Sequence, residues 1–253
     1  MTYGLQLYSV RDVAAQNFED TLKQVAEMGY DMVETAGFFN HSAEEVKAML
    51  AHYGLTICST HTSCNQVFDD LKNTIAFHQA VGCENIILPS ISFSTKEKLD
   101  HTIDAINRCQ PILEAEGLRL HFHNHSGEFL PNKDGLIAAE ELAKRTNILF
   151  EIDTFWAFNA GLRAVDVMEQ YRDRLSFIHL KDGIPQNWSV ADSCAQGRSL
   201  GSGEAPIREV RQKAKEMGLT IVVESEGLEP NGPAEVKRCI DFLKALDAEE
   251  KNG

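Results

Sequence analysis

The sequence of 253 residues lacks several features that define large classes of proteins. Its six cysteines are scattered, without a C-x-x-C pair, which argues against a zinc finger and against a disulfide framework. No apolar run approaches the ~20 residues that cross a membrane. The opening segment MTYGLQLYSV has no basic stretch followed by an apolar one, so we expect no secretory signal and a domain that starts with the chain. These absences favour a soluble protein with reduced cysteines in the cytoplasm.

Positive charge is also scarce. The formal net charge is −14, and no cluster of lysine or arginine offsets it, so phosphate backbones would be repelled. We therefore expect no nucleic-acid partner and no membrane partner. A small molecule is the expected ligand, and homo-oligomerisation stays open.

What the sequence does contain is a repeated unit: a polar amphipathic stretch, a glycine and a short apolar block, as in VAEMGYDMVE, LAHYGLTICS, HQAVGCENIIL, LEAEGLRLHF and AKEMGLTIVV. Glycine accepts positive φ and ends a helix before the chain enters a strand. Eight apolar blocks are candidate strands, near residues 3–9, 31–36, 55–62, 85–90, 118–125, 148–155, 175–181 and 219–225. Eight such units predict a single (β/α)8 TIM barrel over residues 1–253. The alternative is a doubly wound open sheet, but no G-x-G-x-x-G follows any strand.

Helix boundaries carry their own signals. Ser42 with Glu45, and Ser94 with Glu97, have the spacing of capping boxes, and Pro233 suits the first turn of a last helix. Segments 126–135 and 185–206 are long for loops after barrel strands, and loops of this kind at the carboxyl face usually carry function.

The segment LRLHFHNHSGEF concentrates three histidines, His121, His123 and His125, at every second position. Alternate side chains of a strand share a face, so all three point the same way, and the later two lie at the carboxyl end where barrel active sites form. A lone histidine here would be expected simply to be hydrogen-bonded in the interior. Three on one face need polar partners from the neighbouring strands.

The next strands supply such partners. Near the carboxyl ends of the last four predicted strands stand His123, Asp153, His179 and Glu224. Two neutral imidazoles and two carboxylates can neutralise one divalent cation and leave coordination positions open for substrate oxygens. Taken singly, each residue could equally be a helix cap, an ion-pair partner or part of the core. Four in register favour a metal site.

Other polar residues at strand ends suit a sugar pocket: Gln6, Glu34, His61, Lys181 and Glu226. Lys181 could polarise a carbonyl or stabilise an enolate oxygen, and a solvated surface charge is the equally weighted alternative. Trp156 could stack on a sugar face, or simply pack in the core.

The segments GLQLYSVRD, HFHNHSGEF, EIDTFW, HLKD and VVESEG fall in the order seen in the sugar phosphate isomerase/epimerase proteins of the xylose isomerase-like TIM-barrel superfamily, which the whole chain resembles. The resemblance implies one divalent metal ion, commonly Mn, Co, Mg or Zn, held by ligands from the last four strands. Asp153, His179 and Glu224 match those ligands by position. Glu224 would then act as ligand and proton acceptor together.

The fifth strand departs from that pattern. Many members read E-N-H where this chain reads HNH, so His123 replaces a glutamate and Glu128 follows five residues later. Either Glu128 restores the second carboxylate, or His123 and His125 act instead as ligand and base. We favour His123 as the ligand because it lies within the strand.

The leading hypothesis is a metal-dependent isomerase or epimerase that acts on a small sugar or keto-sugar through an enediolate-type intermediate. A second enzyme hypothesis, which the histidine on the fifth strand favours, is a metal-dependent dehydratase or lyase acting on a keto-inositol or keto-glycoside. An endonuclease of the AP type, disfavoured by the acidic charge, and a non-catalytic sugar-binding subunit are the remaining alternatives.

Overall fold

The computed structural model of the protein describes residues 1–186 and 196–252. Its strands are β1 (Gly4–Gln6), β2 (Met32–Ala36), β3 (Thr56–His61), β4 (Asn85–Leu88), β5 (Arg119–His123), β6 (Leu149–Asp153), β7 (Leu175–Leu180), β8 (Asp182–Ile184), β9 (Gln196–Arg198) and β10 (Thr220–Val223). Strands β1 to β7 and β10 form a closed parallel barrel, in which β10 pairs with both β7 and β1. The eight strands expected from the apolar blocks are confirmed, and the open-sheet alternative is wrong.

Helices surround the barrel. The described helices are α1 (Arg11–Ala14), α2 (Phe18–Met28), α3 (Ala43–Tyr53), α4 (Cys64–Asp69), α5 (Leu71–Val81), α6 (Lys96–Ala115), α7 (Ala138–Arg145), α8 (Thr154–Asn159), α9 (Ala164–Gln170), α10 (Ile207–Met217) and α11 (Gly232–Asn252). Apolar faces of these helices pack on the outer faces of the strands and form one continuous core, as Leu22, Val25 and Val33 illustrate. None of the described helices is long and apolar enough to span a bilayer.

Two of the three predicted helix starts are confirmed, and one is wrong by a single residue. Ser42 and Glu45 form a complete capping box at the start of α3, and Pro233 lies in the first turn of α11. The capping box expected of Ser94 and Glu97 is wrong. Helix α6 begins one residue later, with Thr95 as its N-cap, because the Thr95 hydroxyl accepts the Lys98 backbone N–H at 3.3 Å.

Two β-bulges decide which side chains face the barrel interior. Val33 pairs with Ile57 but Glu34 pairs with Ser59, so β3 carries one extra residue opposite β2. A second shift, between Phe150 and Glu151, places an extra residue in β7 opposite β6. A bulge of one residue changes the alternation of the strand that carries it. Ser59 and His61 in β3, and His179 in β7, follow these bulges, and their side chains therefore face the barrel interior.

The segment after β7 forms a small hairpin outside the barrel, in which β8 pairs antiparallel with β9. The carboxylate of Asp182, which is buried, accepts backbone N–H groups from Gly183, Gly201, Gly203 and Ala205 at 2.8 to 3.0 Å. One side chain thus fixes both ends of this segment. Of the long loop expected at 185–206, residues 187–195 lie outside the described residues.

Candidate metal centre and cavity

Four side chains predicted as metal ligands meet at the carboxyl mouth of the barrel. His123 ends β5, Asp153 ends β6, His179 lies near the end of β7, and Glu224 follows β10. Each offers a ligand atom within 4.8 Å of the ligand atoms of the others. Nδ1 of His179 lies 3.3 Å from Oε2 of Glu224 and 3.9 Å from Oδ2 of Asp153. The structure therefore brings together the four residues that the strand ends indicated.

The chemistry of this cluster fits a divalent ion. Oδ1 of Asp153 accepts the Trp156 backbone N–H at 2.9 Å and caps α8, but the buried Oδ2 has no hydrogen-bond partner. Burial, with the charge of Glu224, raises the pKa of Asp153 to about 7 against the opposing effect of Lys181. A buried carboxylate oxygen without a partner is costly unless a cation or a proton satisfies it. Imidazole and carboxylate groups together suit Zn, Mn and Co.

The structure separates the two candidates for the fifth-strand ligand. His123 is one of the converging residues, whereas Glu128 is not. Oε2 of Glu128 accepts the backbone N–H of His125 at 3.0 Å, and burial raises the pKa of this carboxyl to about 7. The geometry accordingly supports His123 as the ligand. Glu128 lies instead in the short 3-10 turn of residues 127–129, and its predicted role as an acid or base stays a prediction.

Lys181 lies one residue beyond β7 and is fully buried. Its Nζ donates to Oε2 of Glu226 at 2.5 Å and to Oε2 of Glu224 at 3.1 Å, and it lies 4.6 Å from the centre of the Trp156 ring. Burial would lower the pKa of Lys181, but Glu224, Asp153 and Glu226 outweigh it and raise that pKa. The ammonium is therefore a charged member of the centre, not a solvated surface group.

A layer of buried polar groups lies deeper in the barrel, below the four candidate ligands. Gln6 and Glu34, expected to bind substrate, are fully buried there and do not line the cavity. Glu151, on β6, also belongs to this layer, and the sequence reasoning missed it. Its signal was present, because Glu151 precedes Asp153 by two residues and so shares its face of the strand. His121 is deeper still, where it contacts Phe177 and lies 3.2 Å from Oδ1 of Asn85.

A cavity of about 630 Å³ opens beside the centre. At one end it is lined by His61, His123, His125, Glu224 and Glu226. Its far wall comes from the first half of the barrel and includes the aromatic and neutral polar residues Tyr8, Phe38, Gln66, Asn73 and Phe77. Trp156 does not line it and lies under Lys181 instead. The volume falls within the ~300–1,000 Å³ of sites that enclose small organic ligands.

Fold and centre together define the class of protein: a (β/α)8 barrel with a candidate divalent-metal site at the carboxyl ends of its strands. The chain belongs to the family described as xylose isomerase-like TIM barrel, whose model matches residues 22–246. The family and fold expected from the motifs are confirmed.

Individual relatives are distant. An inosose dehydratase from Geobacillus kaustophilus is 22% identical over 189 residues, which cover 65% of this chain and 61% of that protein, less than two thirds of its length. A sugar phosphate isomerase/epimerase from Parabacteroides distasonis superposes with a TM-score of 0.81 at 24% identity, covering 96% of this chain and 98% of the other. A probable 3-DHS dehydratase from Bacillus anthracis superposes with a TM-score of 0.76 at 13% identity, covering 96% and 99%. At these identities the structural likeness establishes the fold alone.

Proposed function

We propose that this protein is a divalent-metal-dependent isomerase or epimerase of a small, unphosphorylated sugar or keto-sugar. The observation that carries the proposal is the convergence of His123, Asp153, His179 and Glu224 beside a cavity of about 630 Å³. A divalent ion held by these residues would polarise a sugar carbonyl and stabilise negative charge on its oxygen.

Glu224 is the proposed base. Its carboxylate lines the cavity and is almost fully buried. Burial would raise the pKa of Glu224, but Lys181 and His179 outweigh it and hold that pKa well below the ordinary value. The carboxylate is therefore ionised at neutral pH and can accept a proton from the carbon next to the sugar carbonyl. Lys181 keeps the Glu224 carboxylate charged, because its Nζ donates to Oε2 of Glu224 at 3.1 Å.

His125 is the proposed second acid and base. His123 has Nδ1 directed to Glu151 at 3.1 Å, which leaves only Nε2 for the ligand set. The side chain of His125 is partly buried and lines the cavity. Burial of its ring and the charge of Lys181 lower the pKa of His125, so its imidazole is neutral near pH 7 and can exchange a proton with substrate. Return of the proton at a different carbon or face completes isomerisation or epimerisation.

The charge of the cavity indicates an uncharged substrate. Among the described residues that line it there is no lysine or arginine, while Asp70, Glu224 and Glu226 contribute carboxylates. Residues 187–195, outside the described part, contain neither lysine nor arginine in their sequence. Phosphate groups are normally held by such cations. A free sugar or a neutral sugar derivative, with Phe38 and Phe77 against its apolar face, fits this lining better than a sugar phosphate.

A dehydratase is the second candidate. A relative named inosose dehydratase, which matches 65% of this chain, supports it. The first step is shared, because elimination also begins by removing a proton next to a carbonyl. Elimination differs from isomerisation in the second step, in which His125 would protonate the departing hydroxyl group. The two candidates thus diverge only in the fate of the intermediate.

Proton exchange in D2O tests the shared step. The protein loaded with Mn2+ is incubated with unphosphorylated ketoses and a keto-inositol, and the carbons next to the carbonyl are followed by NMR. We expect deuterium at one such carbon, with an isomer or loss of water identifying the second step. Glu224→Gln should reduce exchange by about 10²- to 10⁴-fold, while Glu97→Gln, at an exposed carboxylate outside the cavity, should leave it unchanged. Exchange by Glu224→Gln at the wild-type rate would refute the proposal.

A further inference from the structure

The polar layer below the candidate metal ligands consists of Gln6, Glu34, Ser59, His61 and Glu151, which come from β1, β2, β3 and β6. All are fully buried except His61, whose side chain is 11% exposed where it meets the cavity. Buried carboxylates are rare unless they have partners. Two of them side by side in a barrel interior need an explanation.

Glu151 contacts three imidazoles with one oxygen. Its Oε1 lies 3.1 Å from Nδ1 of His123, 3.0 Å from Nε2 of His179 and 3.1 Å from Nε2 of His61. Its other oxygen is buried without a hydrogen-bond partner. An ionised carboxylate only accepts hydrogen bonds, so Nδ1 of His123 and Nε2 of His61 are donors to Glu151, while Nε2 of His179 donates to Glu34 and lies beside Glu151 as a charge contact.

Glu34 completes the layer from the opposite side of the barrel. Its Oε1 lies 2.7 Å from Nε2 of His179 and 3.1 Å from Nε2 of His61, and it accepts the side-chain amide of Gln6 at 2.6 Å. Its Oε2 accepts the hydroxyl of Ser59 at 2.5 Å. Glu34 is thus itself held in place by two neutral donors, and its first oxygen is directed at the imidazoles.

These contacts determine which ring nitrogen carries the proton. His179 directs Nε2 at both carboxylates and Nδ1 at Glu224 and Asp153. His123 directs Nδ1 at Glu151 and so has Nε2 left. A neutral imidazole protonated on the side of the lower carboxylates presents its lone pair on the other side. A metal ligand must present that lone pair.

We propose that Glu151 and Glu34 are positioning residues that hold His123 and His179 in the tautomer and orientation in which both face the metal centre. The inference rests on the metal site of the proposed function and not on the sugar reaction. Carboxylates behind histidine ligands fix ring orientation and increase ligand basicity. Neither carboxylate needs to touch the substrate for this role.

The same atoms could instead surround a second ion, because the separations of 2.7 to 3.1 Å also suit neighbouring ligands of one metal. That alternative requires His123 and His179 to present lone pairs on both nitrogens if the upper site is also filled. A neutral imidazole has only one ring nitrogen free to bind a metal. The protonation chemistry therefore favours one ion, and an anomalous difference map of the Mn2+-loaded protein shows whether it lies in the upper set, as this inference requires, or among His61, His123, Glu151 and His179, which would overturn the inference.

The test is a Mn2+ titration of the full chain, followed by EPR of free and bound Mn2+, for wild type, Glu151→Leu, Glu151→Gln and Glu128→Gln. We expect one ion per chain and a dissociation constant raised about 10- to 100-fold in Glu151→Leu. Glu151→Gln should recover part of the affinity, because the amide oxygen still accepts a hydrogen bond. Glu128 is a buried carboxylate that contacts neither His123 nor His179, so Glu128→Gln should bind Mn2+ with the wild-type affinity.

Thermal unfolding of the metal-free proteins distinguishes positioning from general support of the fold. Removing one partner from a buried charged network destabilises the fold, so Glu151→Leu should melt below the wild-type temperature, whereas Glu151→Gln, which keeps an acceptor oxygen and the shape of the side chain, should melt closer to wild type and still bind Mn2+ more weakly. Wild-type affinity in Glu151→Leu, or two ions per chain with one lost in that variant, would overturn this inference and leave the proposed function standing. A wild-type chain that binds no divalent ion would overturn both.

Discussion

Glu128 gives a sharp pH-dependent prediction, because its carboxyl is buried and its partners are few. Its Oε2 accepts one backbone N–H, from His125 at 3.0 Å, and burial raises its pKa from 4.5 to about 7. Between these two values the folded protein binds more protons at this site than the unfolded chain does. Stability from the protonated carboxyl is therefore fully present below about pH 4.5 and is lost as the pH rises through about 7.

The size of the effect follows from the two pKa values. At roughly 1.4 kcal/mol for each pH unit, the change from 4.5 to about 7 corresponds to about 3 kcal/mol. Glu128→Gln keeps an oxygen for the His125 N–H but cannot ionise. We therefore expect the variant to gain up to about 3 kcal/mol on wild type between pH 4.5 and pH 8.

Urea unfolding of both proteins across this pH range, followed by circular dichroism, measures the difference directly. The other titrating groups cancel when the two curves are subtracted. Glu97→Gln, a change at an exposed carboxylate, serves as the control for the loss of one negative charge. A Glu128→Gln variant whose stability stays parallel to wild type from pH 4.5 to 8 would refute the reasoning.

Two further predictions concern buried charges. Lys181→Met leaves Glu224 without its cation, so it should lower the free energy of unfolding by about 3–5 kcal/mol. Because Lys181 lowers the pKa of Glu224, the acid limb of the plot of deuterium exchange rate against pH should also move to higher pH in this variant. An unchanged plot would contradict the ion pair. Asp182→Ala frees four backbone N–H groups between Gly183 and Ala205. It should cost about 3 kcal/mol or more, and native-state hydrogen exchange should show loss of protection at those four amides first.

The barrel could be predicted from the sequence because most of its strands are apolar blocks that follow a helix ended by a C-cap glycine. Gly29 and Gly54 show why the signal works: both end a helix at φ of 93° and 70°, a conformation that other residues rarely adopt. The capping residue of α6 could not be fixed in this way. Ser94 and Thr95 are both good N-caps, and the choice depends on the path of the loop before them.

The ligands could be predicted because each is an imidazole or carboxylate side chain at the carboxyl end of an apolar block. In the deeper layer, Glu151 shares the face of Asp153 and so had a signal, but the inward position of Ser59 and His61 depends on a bulge in β3. Whether Glu34 faces the cavity above or the imidazoles below depends on that register and on the closure of the barrel. Only the folded structure shows that Glu34 and Glu151, 117 positions apart in the sequence, approach the same ring of His179.

The central claim is that one divalent ion binds between His123, Asp153, His179 and Glu224. A crystal structure of the Mn2+-loaded protein, with an anomalous difference map collected at the manganese edge, tests it most directly. We predict one peak at the carboxyl mouth of the barrel, with a nitrogen or oxygen of each of the four residues at about 2.0–2.3 Å. A peak that lies instead among Glu34, His61 and Glu151, or no peak at this mouth, would contradict the account.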